Sequence, residues 1–153
     1  MILKLGITLG QINPMLKTAT IRDAIYDLVI TAASFTSSNT DKAKFAGDSV
    51  SSDALPFCIV EFQNADIEYE TIGDPRTVRI TSNFAVHILA KTQITLDALT
   101  TQVLNTFTDR TLSGEVQELI LTAVEYQFSS EADAEYGRAT ISISTQHTSS
   151  IND

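Results

Sequence analysis

The stretch that decides the fold is residues 65–89, ADIEYETIGDPRTVRITSNFAVHIL. Its first part alternates strictly. Asp66, Glu68 and Glu70 fall on one side and Ile67 and Tyr69 on the other, the period of a strand with one wet face. Ile72-Gly73-Asp74-Pro75 supplies turn chemistry. On the return, Val78, Ile80, Phe84, Val86 and Ile88 share one parity, with Arg79, Thr81, Asn83 and His87 on the other. This is a lopsided hairpin. Its second arm, Arg76–Ala90, spans about 50 Å when extended at about 3.3 Å per residue. Strands of globular domains rarely exceed about ten residues, so part of the hairpin is expected to project beyond the domain body.

Working back from the hairpin, residues 55–62 read LPFCIVEF, a mostly apolar run expected of a central strand buried on both faces. Ser34 to Asp53 is rich in Ser, Thr, Asn, Asp and Lys, a long polar connection of the kind that is commonly functional or mobile. Before it, Ile21, Ala24, Ile25, Leu28, Val29 and Ala32 form one helical stripe, capped by Thr18 or Thr20 and running to about Ala33. Residues 1–17 show no clean helical period and contain Pro14, so they read as a strand or a docking arm.

Working forward, Leu96, Leu99, Val103 and Phe107 mark a second helix from near Thr95 to about Arg110. Ser113-Gly114 breaks the chain, and Val116 to Leu121 reads as a short helical turn. Thr122, Val124, Tyr126 and Phe128 then mark a strand, followed by an acidic turn to Gly137. A last strand turns Ala139, Ile141 and Ile143 inward and Thr140, Ser142 and Ser144 outward. The expected architecture is α+β: a mainly antiparallel sheet, two helices packed on one face, and a projecting β-hairpin. Residues 1–17 would be an N-terminal arm, 18–147 a single domain, and 148–153 a polar C-terminal tail.

Composition narrows the function classes. With 43% hydrophobic residues the chain can form a real core. A single cysteine, Cys58, allows neither an internal disulfide nor a cysteine-rich zinc site. No run approaches 18 consecutive apolar residues, the length that would suggest a membrane span. The expectation is a soluble protein of a reducing compartment with no membrane partner. The net charge is −9, and all of it lies after residue 56: five bases face five acids before that point, and five face fourteen after it. That sign disfavours a grip on nucleic-acid phosphates and suits a solvated acidic face.

Catalytic signatures are missing. Gly6 and Gly10 lack the rest of a phosphate loop or dinucleotide fingerprint, and there is no G-x-S-x-G elbow. Cys58 lies in an apolar strand and reads as a core thiol. His87 and His147 lack metal-ligand spacing, and His87 reads as a surface or interface histidine. Three acidic groups could in principle take a cation: Asp23 with Asp27; Asp66, Glu68 and Glu70; and Glu131, Asp133 and Glu135. None has EF-hand spacing, and solvated faces explain each. The expectation is a non-enzyme without cofactor, with a ligand- or metal-binding α+β module as the alternative from a different class.

The succession of elements resembles the tail terminator proteins of long-tailed bacteriophages, of the lambda-like minor tail protein type. The likeness is carried by the leading amphipathic helix, the long loop, LPFCIVEF, the acidic hairpin, TLDALTTQVLNTF (residues 95–107) and AVEYQFSSEADAEYGRATISIS (residues 123–144). It covers roughly Thr20 to Thr145 and rests on architecture rather than an invariant motif. The resemblance implies a small subunit of a hexameric ring at the tail–head junction of a virion, made in the host cytoplasm. Such a ring caps the tail tube, joins it to a head–tail connector or neck protein, and lets DNA pass through. Another neck or tail-completion component is the near alternative. Within that frame, Ile72, Asp74, Arg76 and Arg79 are expected at a subunit interface, with the two arginines meeting acids of the neighbour. Asp66, Glu68 and Glu70 are expected to face the channel, and Lys42, Lys44 and Phe45 to contact tube or neck.

Overall fold

In the computed structural model the described residues are 16–32, 35, 39–41, 55–70, 76–128 and 137–151. The elements follow in the order α1 (Thr18–Val29), β1 (Thr40–Asp41), β2 (Phe57–Tyr69), β3 (Arg76–Ala90), α2 (Gln93–Leu104), β4 (Glu118–Phe128) and β5 (Gly137–Ile151). They make an α+β fold with one five-stranded sheet in the order β1-β2-β3-β5-β4. Among the described residues only the two-residue β1 is parallel to its neighbour; the other pairings are antiparallel.

Both helices pack on the same sheet face. Ile21, Ile25 and Val29 of α1 and Leu96, Leu99 and Val103 of α2 join one buried cluster. From the sheet the cluster takes Cys58 and Val60 of β2, Phe84, Val86, Ile88 and Ala90 of β3, and Ala139, Ile141 and Ile143 of β5. The alternation of these sequences puts every second side chain there. The helices begin and end differently from the sequence reading. Lys17, in the left-handed region at φ 51°, is the N-cap of α1, and no side chain caps it. Thr18 is already helical, and α1 ends at Val29, with Ala32 still buried in a following turn. Helix α2 starts earlier than Thr95 because the Thr92 hydroxyl accepts the Thr95 N–H at 3.2 Å. It stops at Leu104, after which Phe107 packs against the core from a turn.

Strand β3 covers the span read from its alternation, but it is not too long for its own sheet. Strand β5 also has 15 residues and pairs with it from Arg76↔Ile151 to Ala90↔Gly137. The chain therefore continues as strand four residues past His147. Beyond Gln146 the described sheet is three-stranded, and it reaches past Phe84 and Ile143, the last members of the helix-packed cluster on β3 and β5.

Strand β2 runs through LPFCIVEF and the acidic stretch as one element. A register shift between Phe62 and Asn64 reverses its parity, so Cys58, Val60 and Phe62 lie on the helix face but Ala65, Ile67 and Tyr69 do so afterwards. This strand is one from the sheet edge, with β3 and β5 inside it. Part of the polar connection also belongs to the fold: Phe35 is buried and Thr40–Asp41 pair with Cys58–Ile59. Residues 116–121 are not a helical turn, since β4 begins at Glu118.

Candidate functional site

The acidic face forms as read. The bulge in β2 sets Glu68 opposite Arg79 and Asp66 opposite Thr81. Arg79 Nε donates to Glu70 Oε1 at 3.2 Å, and its Nη1 lies 3.8 Å from Glu68 Oε2. Arg79 thus meets two acidic partners, Glu70 and Glu68, within its own hairpin. The cross-strand register puts them within reach before any assembly occurs. Of Arg76 the structure gives the backbone, paired with Ile151 at the distal end. Ile72, Asp74, Lys42, Lys44 and Phe45 lie outside the described residues, as do Glu131, Asp133 and Glu135.

An open cleft of about 360 Å³ lies between α1 and the turn after α2, lined by Asp27, Leu28, Asp109, Leu112, Ser113 and Glu115. Two of its three carboxylates have structural work. Asp109 accepts the Thr111 and Ser113 N–H groups at 2.9 and 2.8 Å and the Thr111 hydroxyl at 2.7 Å. These bonds, the Thr111 hydroxyl first, hold its pKa below the ordinary value. They also brace a turn in which Leu112, Ser113 and Gly114 all have positive φ. Glu115 receives Lys17 Nζ at both its carbonyl (3.0 Å) and its carboxylate (3.5 Å). Among the described residues no group of three or more His, Cys, Asp or Glu is placed to hold a metal ion.

His87, expected at the surface or an interface, is only 5% exposed in the single chain. It lies on the sheet face away from the helices, where Ile59, Ala85 and Leu89 are buried too. The sequence signal misled because this part of β3 is covered on both faces, although its odd positions look mixed. Nδ1 is 3.0 Å from Thr140 Oγ1 and Nε2 is 3.2 Å from Glu61 Oε1. A neutral ring protonated on Nε2 satisfies both, donating to Glu61 and accepting from Thr140. Burial lowers the His87 pKa; Glu61 opposes that and Arg138 adds to it. Hydroxyl, imidazole and carboxylate stand in the order of a nucleophilic relay, but they lock three adjacent strands together. Neither cleft described in this section is lined by any of them.

The feature that sequence reading missed is the exposed apolar row of β4, a strand it read only from Thr122 to Phe128. The strand closes the sheet on one side, and among the described residues it pairs only with β5. Of its 11 residues only Leu119 is buried. A shift between Leu121 and Ala123 reverses parity, so Leu121, Val124, Tyr126 and Phe128 form a row on the helix side. Tyr126 and Phe128 stack with centroids 6.3 Å apart and are 43% and 53% exposed. The Tyr126 hydroxyl engages Asp97 and Thr100 of α2; desolvation and then Asp97 raise its pKa. A second cleft of about 340 Å³, lined by Phe107, Arg110, Leu119, Ile120 and Leu121, opens at the start of the same strand. An unpaired apolar strand edge is a template for another strand. Binding another chain is what this arrangement can do.

Neither a family model nor a curated protein matches the sequence. Among solved structures, a chain from the virion of a native gene transfer agent particle is similar in fold, with a TM-score of 0.53 at 10% identity. The likeness covers 86% of this chain and 98% of that one.

Proposed function

We propose that this chain is a structural subunit of a phage-like virion, acting by assembly rather than by catalysis. The observation that carries the reading is the fold likeness to a virion chain over 98% of that chain's length. Within this class the reading is a tail terminator. The chain forms a ring, a hexamer in the resemblance, that ends the tail tube, meets the neck protein on its other side and lets DNA pass. A three-stranded extension on one side of each subunit and, on the other, a strand that among the described residues pairs only with β5 suit a head-to-tail interface that closes on itself. Ile72, Asp74, Arg76 and Arg79 lie in the segment assigned to the neighbouring subunit. Lys42, Lys44 and Phe45 lie in the loop assigned to tube or neck. Asp66, Glu68 and Glu70 face the channel, where a like charge keeps the duplex off the wall.

Electron microscopy of the purified protein, and of particles lacking it, tests this. Closed rings, and tails of uncontrolled length in the deficient particles, are expected; monomers at every concentration together with normal tails would overturn it. For the channel assignment, the Asp66→Lys, Glu68→Lys, Glu70→Lys virion should eject DNA more slowly, most of all at low salt. Unchanged ejection would move these acids to the outer rim.

A further inference from the structure

Three exposed apolar side chains gather at the first turns of α2. Ile94 is 84% exposed, more than any other large apolar residue among those described. Tyr126 and Phe128 stack on each other beside this end of the helix. The Tyr126 hydroxyl engages Asp97 and Thr100, and Phe128 and Leu96 both crowd Gly137. Exposed apolar residues scattered singly are ordinary, whereas a group of them marks a contact with another chain. The charges on either side of Ile94 say which chain. Lys91, three residues before it, is exposed and enters no ion pair among the described residues. Asp97, three residues after it, is exposed on the adjoining position of the helix surface.

We propose that this surface pairs with the same surface of a second copy, about a two-fold axis that passes beside Ile94. Such an axis reverses the direction of the helix. Lys91 of each copy then comes to Asp97 of the other, and both pairs form at once. Each charge lies only about 5 Å along α2 from the axis, at about 1.5 Å of rise per residue, which a lysine side chain spans. Ile94 of each copy covers Tyr126 and Phe128 of the other. The order of cation, apolar residue and anion is its own complement only when reversed; parallel stacking would set Lys91 on Lys91 and Asp97 on Asp97. From β4 the contact takes two side chains on the face beside α2 and none of the strand edge. It takes nothing from the distal hairpin. The pairing does not depend on the virion reading: where head-to-tail rings also close, the two-fold joins two of them.

Sedimentation of the full chain over a range of concentrations tests it. Paired copies are expected, or paired rings where rings close. Ile94→Asp should halve the size of either species and leave the circular dichroism spectrum unchanged, because the side chain is exposed. Lys91→Asp and Asp97→Lys each set like charges together twice and should weaken the pairing about tenfold. Mixing these two single variants should restore it, since the mixed pair again holds two opposite-charge contacts. A chain that runs as single copies or single rings at every concentration would overturn the proposal and leave the patch to a different protein. Pairing that survives Ile94→Asp would overturn it too, as would a mixture no more strongly paired than its components.

Discussion

Gly137 stands opposite Phe128 in the β4–β5 ladder, so close that a Cβ there would sit 2.9 Å from Phe128 Cδ1 and Cε1 and from Leu96 Cδ2. The two neighbours differ in what they can concede. Phe128 is half exposed and can turn outward, but Leu96 is wholly buried in the helix-side core. Gly137→Ala should therefore cost about 1–3 kcal/mol, the range of an overpacked site. Urea unfolding of this variant, of Phe128→Ala and of the pair should show coupling: removing the ring relieves part of the penalty. Additive effects would mean that Leu96 alone sets the limit.

The core prediction separates two rings in contact. Phe62 and Phe84 have centroids 5.5 Å apart, but Phe84 is fully buried and Phe62 only partly. Phe84→Ala should cost about 3–5 kcal/mol, and Phe62→Ala clearly less. Equal losses in chemical denaturation would contradict the packing.

His87 gives a pH dependence of definite sign. Its folded pKa lies below the ordinary 6.5, with burial as the main cause. As pH falls through 6.5 the unfolded chain takes up a proton that the folded chain resists, so stability drops on the acid side. The groups facing the ring are Glu61, Thr140 and Arg138. The melting temperature should decline from pH 7.5 to pH 5.5, and His87→Gln should flatten part of that slope. An unchanged slope in the variant would assign the dependence to other groups.

Arg79 is 42% exposed at its side chain, and so are its partners to differing degrees. Exposed ion pairs contribute about 0–1 kcal/mol. Arg79→Ala should consequently lower stability by no more than about that amount, and added salt should shrink the difference. A loss of several kcal/mol would show that the distal hairpin depends on this pair.

Cys58 is fully buried, and burial pushes its thiol pKa far up. The thiolate is the reactive form, so alkylation under native conditions should be slow and should track global unfolding across a denaturant series. Rapid labelling of the folded protein would place the β1–β2 region in local exchange with solvent.

The sequence by itself determined the main strands and the helix-side core. Val78, Ile80, Phe84, Val86 and Ile88 share one parity, interrupted only by Ser82, and a period of two is satisfied by a strand with one set of residues inward. The stripe Ile21, Ile25 and Val29 was equally legible, because residues one helical turn apart must share a face. Tertiary structure decided what periodicity cannot carry. The shifts at Phe62/Asn64 and Leu121/Ala123 each reverse parity, which split β2 and hid the start of β4 in the sequence reading. That β5 is as long as β3 is a property of their pairing, since Thr145, Gln146 and Thr148–Ser150 carry no apolar signal of their own. His87 is buried on a face that its own alternation reads as mixed, beside Ile59, Ala85 and Leu89, and Arg79 is paired because the hairpin register brings Glu68 and Glu70 across to it. The exposure of β4 depends on its place at the end of the sheet, and strand order is set by which edges find partners in space.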